Sequence, residues 1–244
     1  MVAAYVGYGY YPRFYFDWTY ILVLIGVVLS LWASARVKTA FARYSSVSTR
    51  QGVTGAQAAE MILRQSGIYD VRVVHIRGNL NDHYDPRNKT LALSDPVYSS
   101  TSVAAVSVAA HECGHAIQHD TGYVPLKIRG NLVPVANFGS AISWPLILIG
   151  LLMGSGSLLI NIGIALFCAV VLFHIVTLPV EFNASARGLK ILSESGMLVG
   201  DENNGAKTVL KAAALTYVAS AASMILQLLR LLILTRGRRD DDRR

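Results

Sequence analysis

The segment from His111 to His115 has the form H-E-x-x-H, a spacing that can place two imidazoles around one metal ion. It ends an alanine- and valine-rich run, residues 102–110, that predicts a helix. Residues four apart lie on one face of a helix, so His111 and His115 can bind the same ion. Glu112 can then act as general base on a metal-bound water, which is the arrangement of a zinc hydrolase. The alternative is a helix with two surface histidines and a solvated glutamate.

The composition indicates a membrane protein. Of the 244 residues 53% are hydrophobic and 15% are charged, and the mean hydropathy is +0.42, which is too apolar for a soluble globular protein. Residues 18–35, 130–173 and 212–229 contain no Asp, Glu, Lys or Arg. A membrane helix needs about 20 apolar residues. We therefore expect four transmembrane helices, two of them from the middle region, with a tight turn at residues 154–157.

The end of the first apolar region, residues 33–35, reads Ala-Ser-Ala and resembles the cleavage site of a secretory signal peptide. Arg36 and Lys38 follow directly, and basic residues after a span resist export. We therefore interpret residues 1–37 as a tail and an uncleaved anchor. The aromatic residues between Tyr5 and Trp18 suit a belt at the membrane interface, and a disordered tail is the alternative.

The Lys and Arg residues predict the orientation. Residues 36–129 hold eleven of the 22 basic residues, and the expected hairpin turn holds none. The positive-inside rule then puts residues 36–129 and 181–211 in the cytoplasm. The basic tail after the last apolar region would lie outside, against the rule; we expect that helix to cross nonetheless, and a shallow helix docked on the bundle is the alternative. Topology and anionic lipids explain the net charge of +7, so we predict no nucleic-acid partner.

Glu181 is the candidate for a third ligand, since catalytic zinc takes three protein ligands and a water. The hairpin crosses the membrane twice and returns Glu181 to the side of His111. Glu181 follows Pro179, which predicts that it opens a new helix with a fixed carboxylate. The alternatives are a helix-start glutamate stabilised by the macrodipole, and ligation by His119, which lies two turns along from His111.

The motif, the hairpin and the run from Glu181 to Ser185 together resemble the membrane gluzincins, such as the HtpX-type peptidases and the CAAX prenyl proteases. More closely, nearly the whole chain resembles the YugP-type neutral zinc metallopeptidases of bacterial membranes. That resemblance also rests on residues 81–86, 91–94 and 109–116, which read N-D-H-Y-D-P, L-A-L-S and A-A-H-E-C-G-H-A.

The resemblance implies one catalytic Zn²⁺ bound by His111, His115 and Glu181, with Glu112 as the catalytic residue. Ser185 departs from the HtpX and CAAX pattern, which has Asp at this position. An Asp there would accept a hydrogen bond from a ligand histidine and fix its tautomer. A serine does so only weakly, so we do not transfer that role.

The cytoplasmic segment before the motif predicts a small α+β, zincin-like part. Thr54 to Gln57 is typical of a helix start, and residues 71–76 and 90–94 are typical of strands. In zinc peptidases of this kind such a strand can bind an extended substrate. By that analogy Leu91, Ala92 and Leu93 are candidates to pair with substrate, and an ordinary core strand is the alternative.

Four further residues are candidates to support a ligand or to stabilise the oxyanion. They are Asn183, Ser185, Arg187 and His119. Cys113, two positions from His111, is expected to face away from the metal.

We expect a mainly α-helical integral membrane protein with five regions. These are the tail and anchor (1–37), a cytoplasmic catalytic region (38–129), a transmembrane hairpin (130–178), a cytoplasmic helix with the third ligand (179–211), and the last membrane helix with its tail (212–244).

The expected function is that of a zinc endopeptidase of the bacterial inner membrane. It would cleave membrane or membrane-proximal proteins at the cytoplasmic interface, by Glu112-assisted attack of a zinc-bound water. The alternatives are a protease that cuts within the bilayer and a membrane adaptor with a structural zinc. Glu112 argues against the adaptor, because a structural site needs no general base. The sequence predicts neither the substrate nor the oligomeric state.

Overall fold

The computed structural model describes residues 17–153 and 158–241, which are mostly helical. The first part of the chain contains α1 (Tyr20–Ser45), α2 (Gly55–Gln65), β1 (Arg72–Ile76), β2 (His83–Asp85), β3 (Thr90–Ser94) and α3 (Asp95–Tyr98). The second part contains α4 (Val103–Asp120), α5 (Val124–Met153), α6 (Leu158–Glu194) and α7 (Asp201–Asp241). The expected turn at residues 154–157 and most of the aromatic residues before α1 lie outside the described residues.

The helices α1, α5, α6 and α7 are long and apolar enough to cross a membrane, by length and composition. Their number agrees with the four spans predicted. Large apolar side chains on them face outward, among them Leu31 at 66%, Leu148 at 60% and Leu152 at 81% exposure. An apolar surface of this extent is costly in water and favourable in a bilayer.

The last long helix, α7, runs antiparallel to α1. Ser223 Oγ donates a hydrogen bond to the Gly26 carbonyl oxygen (3.0 Å) midway along the pair. Further along α7, Arg230 Nη2 lies 3.5 Å from Asp17 Oδ2, just before α1 begins. The helix α7 therefore reaches the beginning of α1.

The helix α2 begins where the sequence predicts. Thr54 Oγ1 accepts a hydrogen bond from the Gln57 backbone N–H (3.2 Å), and Gln57 Oε1 accepts one from the Thr54 N–H (2.9 Å). This reciprocal pair satisfies two donors that a helix start leaves open. The apolar face of α2, with Ala59 and Ile62 fully buried, belongs to the same core as α4.

The strand β3 is the centre of a three-stranded sheet in the order β1-β3-β2. It pairs in parallel with β1 and antiparallel with β2. Leu91, Ala92 and Leu93 are buried, and both edges of their strand are already paired. This contradicts the prediction that they pair with substrate, because their main-chain groups are engaged within the sheet. The strand β2, an outer strand of the sheet, was not predicted from the sequence.

The helix α6 is continuous from Leu158 to Glu194 and contains Pro179 in its interior. The prediction that Glu181 opens a new helix after Pro179 is therefore wrong. Proline removes one helical hydrogen bond, but α6 packs against α4, α5 and α7, and this packing offsets the loss. Glu181 is consequently an interior helix residue, beyond the reach of a helix-start macrodipole. The predicted regions 130–178 and 179–211 share this helix.

Candidate metal centre

Two glycines bring α4 and α6 into backbone contact. A Cβ built on Gly114 would lie 2.8 Å from the carbonyl carbon of Ala184, and one on Gly188 would lie 2.6 Å from the carbonyl oxygen of Ala110. Side-chain carbons do not approach backbone atoms this closely, so a larger residue at either position would separate the helices. The glycines thereby set Glu181 against the face of α4 that carries the motif histidines.

The structure brings together His111, His115 and Glu181. His111 Nε2 lies 3.3 Å from Glu181 Oε2, and His115 Nε2 lies 3.5 Å from the same oxygen. One potential ligand atom from each residue lies within 4.8 Å of the other two, so the group could hold a metal ion. Two atoms bound to a tetrahedral zinc at about 2.0 to 2.1 Å are themselves about 3.3 to 3.4 Å apart. The measured separations from Oε2 match that value.

The tautomer of His115 is fixed by Gln118. The Gln118 amide nitrogen donates to the Val180 carbonyl oxygen (2.7 Å) and to Asn183 Oδ1 (3.0 Å). Its Oε1 is therefore the atom that faces His115 Nδ1, at 3.0 Å. An amide oxygen only accepts, so a neutral His115 carries its proton on Nδ1 and presents a lone pair at Nε2.

A similar contact supports the other imidazole, since His111 Nδ1 lies 3.0 Å from Ser185 Oγ. Glu181 Oε2 is buried and accepts no hydrogen bond within the described part of the chain. When both Nε2 atoms carry lone pairs, as zinc ligation requires, three electron-rich atoms face one another, and a cation between them removes the repulsion. Two imidazoles and a carboxylate are a donor set that zinc takes, so these residues fit a zinc ion.

The three donors open onto a cavity of about 540 Å³. Glu112 lines this cavity and is only 7% exposed, so its carboxylate faces a confined space beside the donors. The walls come from α4, β2, the start of α5 and the middle of α7. The three donors and Glu112 therefore line one cavity.

Arg129 and Tyr217 also line the cavity, and the sequence analysis assigned neither to the site. Arg129 Nη2 lies 3.9 Å from Glu181 Oε1. Its Nε is buried and has no hydrogen-bond partner among the residues described. Arg129 is the last charged residue before the 44-residue uncharged run. That signal could have identified it, because a charge at the entry to a membrane span is a functional candidate.

Tyr84 of β2 and His119 of α4 form a pair elsewhere on the cavity wall, with Tyr84 Oη 2.9 Å from His119 Nδ1. Burial raises the pKa of Tyr84 to about 12, and the carboxylates of Asp70, Asp85 and Asp120 act in the same direction. The phenol therefore keeps its proton at neutral pH. His119 is outside the three-residue donor group, and its Nδ1 is engaged by Tyr84.

Asn183 and Arg187 stand behind the donors, and neither is among the described residues that line the cavity. Arg187 Nε donates to Asn183 Oδ1 (2.8 Å), and the Arg187 guanidinium lies 5.8 Å from the Tyr123 ring centroid. Because Asn183 Oδ1 also receives the Gln118 amide, these two residues brace Gln118.

Cys113 faces away from the cavity, as expected. It is fully buried, and its Sγ lies 3.6 Å from the Ala59 carbonyl oxygen of α2. Burial raises the pKa of the thiol well above its ordinary value, and Glu112 adds to this rise. The thiol is therefore an uncharged part of the core.

Comparison with known proteins connects this geometry to a family. The profile of a family described as "Putative neutral zinc metallopeptidase" matches residues 19–236. A protein of Bacillus subtilis (strain 168) described as "Putative membrane protease YugP" is 46% identical over 221 residues, which cover 91% of this chain and 98% of that protein. No solved structure matches. The matched range includes the three donors, Glu112 and the four long apolar helices.

Proposed function

The chain belongs to the neutral zinc metallopeptidase family, and from this premise we propose that it is a membrane-embedded zinc endopeptidase. It hydrolyses peptide bonds of membrane or membrane-proximal proteins at the cytoplasmic face of a bacterial cell membrane. The observation that carries the proposal is the convergence of His111, His115 and Glu181 beside Glu112 in one cavity. The description of the 46% identical relative as a membrane protease supports protease activity in a membrane.

His111 and His115 would hold one zinc ion through their Nε2 atoms, and Glu181 would hold it through Oε2. When bound there, zinc supplies Lewis acidity, which polarises a carbonyl group and lowers the pKa of water. Ser185 and Gln118 keep the two imidazoles oriented through their Nδ1 atoms. Hydrogen bonds of this kind fix ligand geometry and raise metal affinity.

Glu112 is the general base. Its carboxylate takes a proton from the attacking water and delivers it to the nitrogen of the leaving amine. The cavity restricts solvent around this carboxylate, which is 7% exposed. The proton that Glu112 takes from the water is therefore passed to the reacting peptide and is not lost to bulk solvent.

Arg129 stabilises the charge that develops during the attack. Its guanidinium lines the cavity, and its buried Nε has no partner among the described residues. The guanidinium lies beside the donors, with Nη2 3.9 Å from Glu181 Oε1, and a cation there stabilises a carbonyl oxygen as that oxygen becomes negative. Arg129 takes the role of oxyanion stabilisation, for which Asn183 and Arg187 were candidates from the sequence. Those two residues lie behind Gln118.

The strand β2 is the element that accepts an extended substrate. It pairs with β3 on one side, and no other described strand pairs with its second edge. His83 and Tyr84 of β2 line the cavity beside the motif histidines. A substrate segment can add to this edge through main-chain hydrogen bonds, which bind peptides with little dependence on their sequence.

The site lies at the cytoplasmic membrane surface. Residues 36–129 hold eleven of the 22 basic residues, which supports a cytoplasmic location for this segment. Lys127 and Arg129 line the cavity near the start of α5, whereas the uncharged run begins after them. We therefore place the cut near the membrane surface. A protease that cuts in the middle of the bilayer would need its zinc donors deeper along α5 and α6.

The experiment compares the purified full-length wild type with Glu112→Gln, and with Glu60→Gln as a matched control on the exposed face of α2. Zinc content is measured for each protein, together with cleavage of a fluorogenic peptide. We expect one zinc per chain in all three, and loss of at least about 100-fold in activity with Glu112→Gln alone. Full activity of Glu112→Gln, or a wild type that purifies without zinc, contradicts the proposal. Proteomics of membranes that express each form would identify substrates from fragments made only by the active enzyme.

A further inference from the structure

A second cavity, of about 390 Å³, lies between α1 and α7, on residues other than those of the metal centre. It occurs near the point where Tyr44 packs against Gly205, since a Cβ on Gly205 would lie 2.7 Å from Tyr44 Cε1. Its lining residues on each helix are spaced as one helical face. Those that bear on its chemistry are Arg36, Ala40, Arg43, Lys211, Ala212 and Leu215. We call this cavity the basic groove.

Three cations line the basic groove, and within the described part of the chain none of them pairs with a carboxylate. Other basic side chains do have acidic partners at ion-pair distance: Arg64 with Glu60, Lys89 with Asp70, Lys190 with Glu194 and Arg230 with Asp17. Unpaired charges on two helices that face one cavity repel each other. A bound anion removes this repulsion and forms charge-assisted hydrogen bonds with the same groups.

The basic groove lies where two membrane helices lose their apolar character. Arg36 directly follows the uncharged run of α1, and Lys211 directly precedes that of α7. The Arg36 guanidinium lies 5.9 Å from the centroid of the Trp32 ring, and tryptophan favours the level of the lipid headgroups. With the membrane placement proposed above, Arg36 and Lys211 lie at the depth of the lipid phosphates.

The rest of the basic groove suits a lipid better than a free ion. Ala40 and Ala212 are buried against each other's helices, and the half-buried Leu215 extends the lining toward the membrane. This gives an apolar surface next to Arg36 and Lys211. Arg43, two turns from Arg36 on the side away from the membrane, adds a third positive charge where the headgroup substituent would lie.

We propose that the basic groove binds an anionic phospholipid of the cytoplasmic leaflet. Arg36 and Lys211 bind its phosphate, and Leu215 contacts the start of an acyl chain. Arg43 disfavours a zwitterionic lipid, because the headgroup of such a lipid ends in an ammonium group. The lipid connects α1 to α7, the two helices whose contact forms the edge of the bundle.

The test uses the purified full-length chain in neutral detergent, to which phosphatidylglycerol or phosphatidylcholine is added. Lipid retention is measured by native mass spectrometry and by the rise in unfolding temperature. The variant Arg36→Gln/Lys211→Gln removes one groove cation from each helix. Its control, Lys38→Gln/Lys207→Gln, removes the same charge from exposed lysines of the same two helices that do not line the groove.

We expect the wild type to bind phosphatidylglycerol in preference to phosphatidylcholine. The groove variant should lose about tenfold in affinity for phosphatidylglycerol, and the control variant should bind like the wild type. Equal losses in both variants would mean that binding depends on total charge, and the proposed site would be wrong. Displacement of the lipid by millimolar inorganic phosphate would also overturn it, since the groove would then bind a free anion. Zinc content is measured on the same samples, so failure of the lipid site is distinguished from failure of the proposed peptidase.

Discussion

Gln118 Oε1 lies 3.0 Å from His115 Nδ1, and the hydrogen bonds that the Gln118 amide nitrogen donates hold the oxygen there. Gln118 is fully buried, and its Nε2 donates to Val180 and Asn183. A flipped amide would place two acceptors face to face at Val180. The side chain three residues after the second motif histidine therefore determines which nitrogen of that histidine faces the metal centre.

Replacement of Gln118 with Met should lower zinc affinity by roughly 10- to 100-fold. The thioether keeps the volume but leaves the His115 Nδ1–H buried without an acceptor, so the tautomer is no longer fixed. Zinc affinity is measured by competition with a chromogenic chelator. Gln65→Met, at the exposed end of α2, is the control. Unchanged affinity in Gln118→Met would show that the orientation of His115 does not depend on this bond.

Replacement of Gly114 with Ala should separate α4 from α6 and displace Glu181 from the histidines. The new Cβ would lie 2.8 Å from the Ala184 carbonyl carbon, and such overpacking typically costs about 1 to 3 kcal/mol. We expect a lower unfolding temperature together with zinc loss. Gly130→Ala provides the comparison, because a Cβ there meets no atom of the described residues within 4 Å. A Gly114→Ala protein with normal zinc content and stability would contradict the close packing.

Replacement of Arg129 with Gln should reduce kcat by about 100-fold and leave KM within a few-fold of the wild type. The reason is that its guanidinium acts mainly on charge that develops in the transition state. Zinc content should stay at one per chain, because Arg129 is not among the three donors. Steady-state kinetics with a fluorogenic peptide measure both constants. Arg64→Gln, an exposed position on α2, is the control, and a rise in KM alone would assign Arg129 to substrate binding.

Tyr84 should make folding stability depend on pH in the alkaline range. Its pKa is raised to about 12, whereas a tyrosine in an unfolded chain titrates near 10. Below pH 10 both states keep the proton and there is no dependence. Between about pH 10 and 12 only the unfolded state loses it, so stability falls as pH rises. The unfolding temperatures of the wild type and Tyr84→Phe should converge across this range, because the wild type loses the stability by which it exceeds the variant. A constant difference would refute the raised pKa.

Local signals in the sequence were sufficient for several elements. The capping box at Thr54, the β-branched run before Ile76 and the uncharged regions each reflect interactions between near neighbours. Glu181 could be identified as a candidate ligand by counting membrane crossings, without knowledge of the packing. The same local rules failed at Pro179, because contacts of α6 with three other helices maintain the helix through it.

The parts that sequence reasoning missed depend on distant residues. The strand β2 is three residues long, and its pairing with β3 defines it. Arg129 and Tyr217 reach the cavity only because α5 and α7 pack beside α4 and α6. The role of Gln118 requires Val180, which lies on another helix. Contacts of this kind leave no periodic pattern and no fixed residue spacing in the sequence.

The continuity of α6 bears on how the enzyme is made. Two zinc donors precede the hairpin in the chain, and the third lies beyond it on the returning helix. During synthesis the motif helix leaves the ribosome well before Glu181 does. In the proposed topology, the donor set is completed only when both crossings have been inserted and the helices have met at Gly114. A nascent or wrongly inserted chain would therefore lack a complete donor set, and under the proposed function its proteolytic activity would begin only with correct membrane assembly.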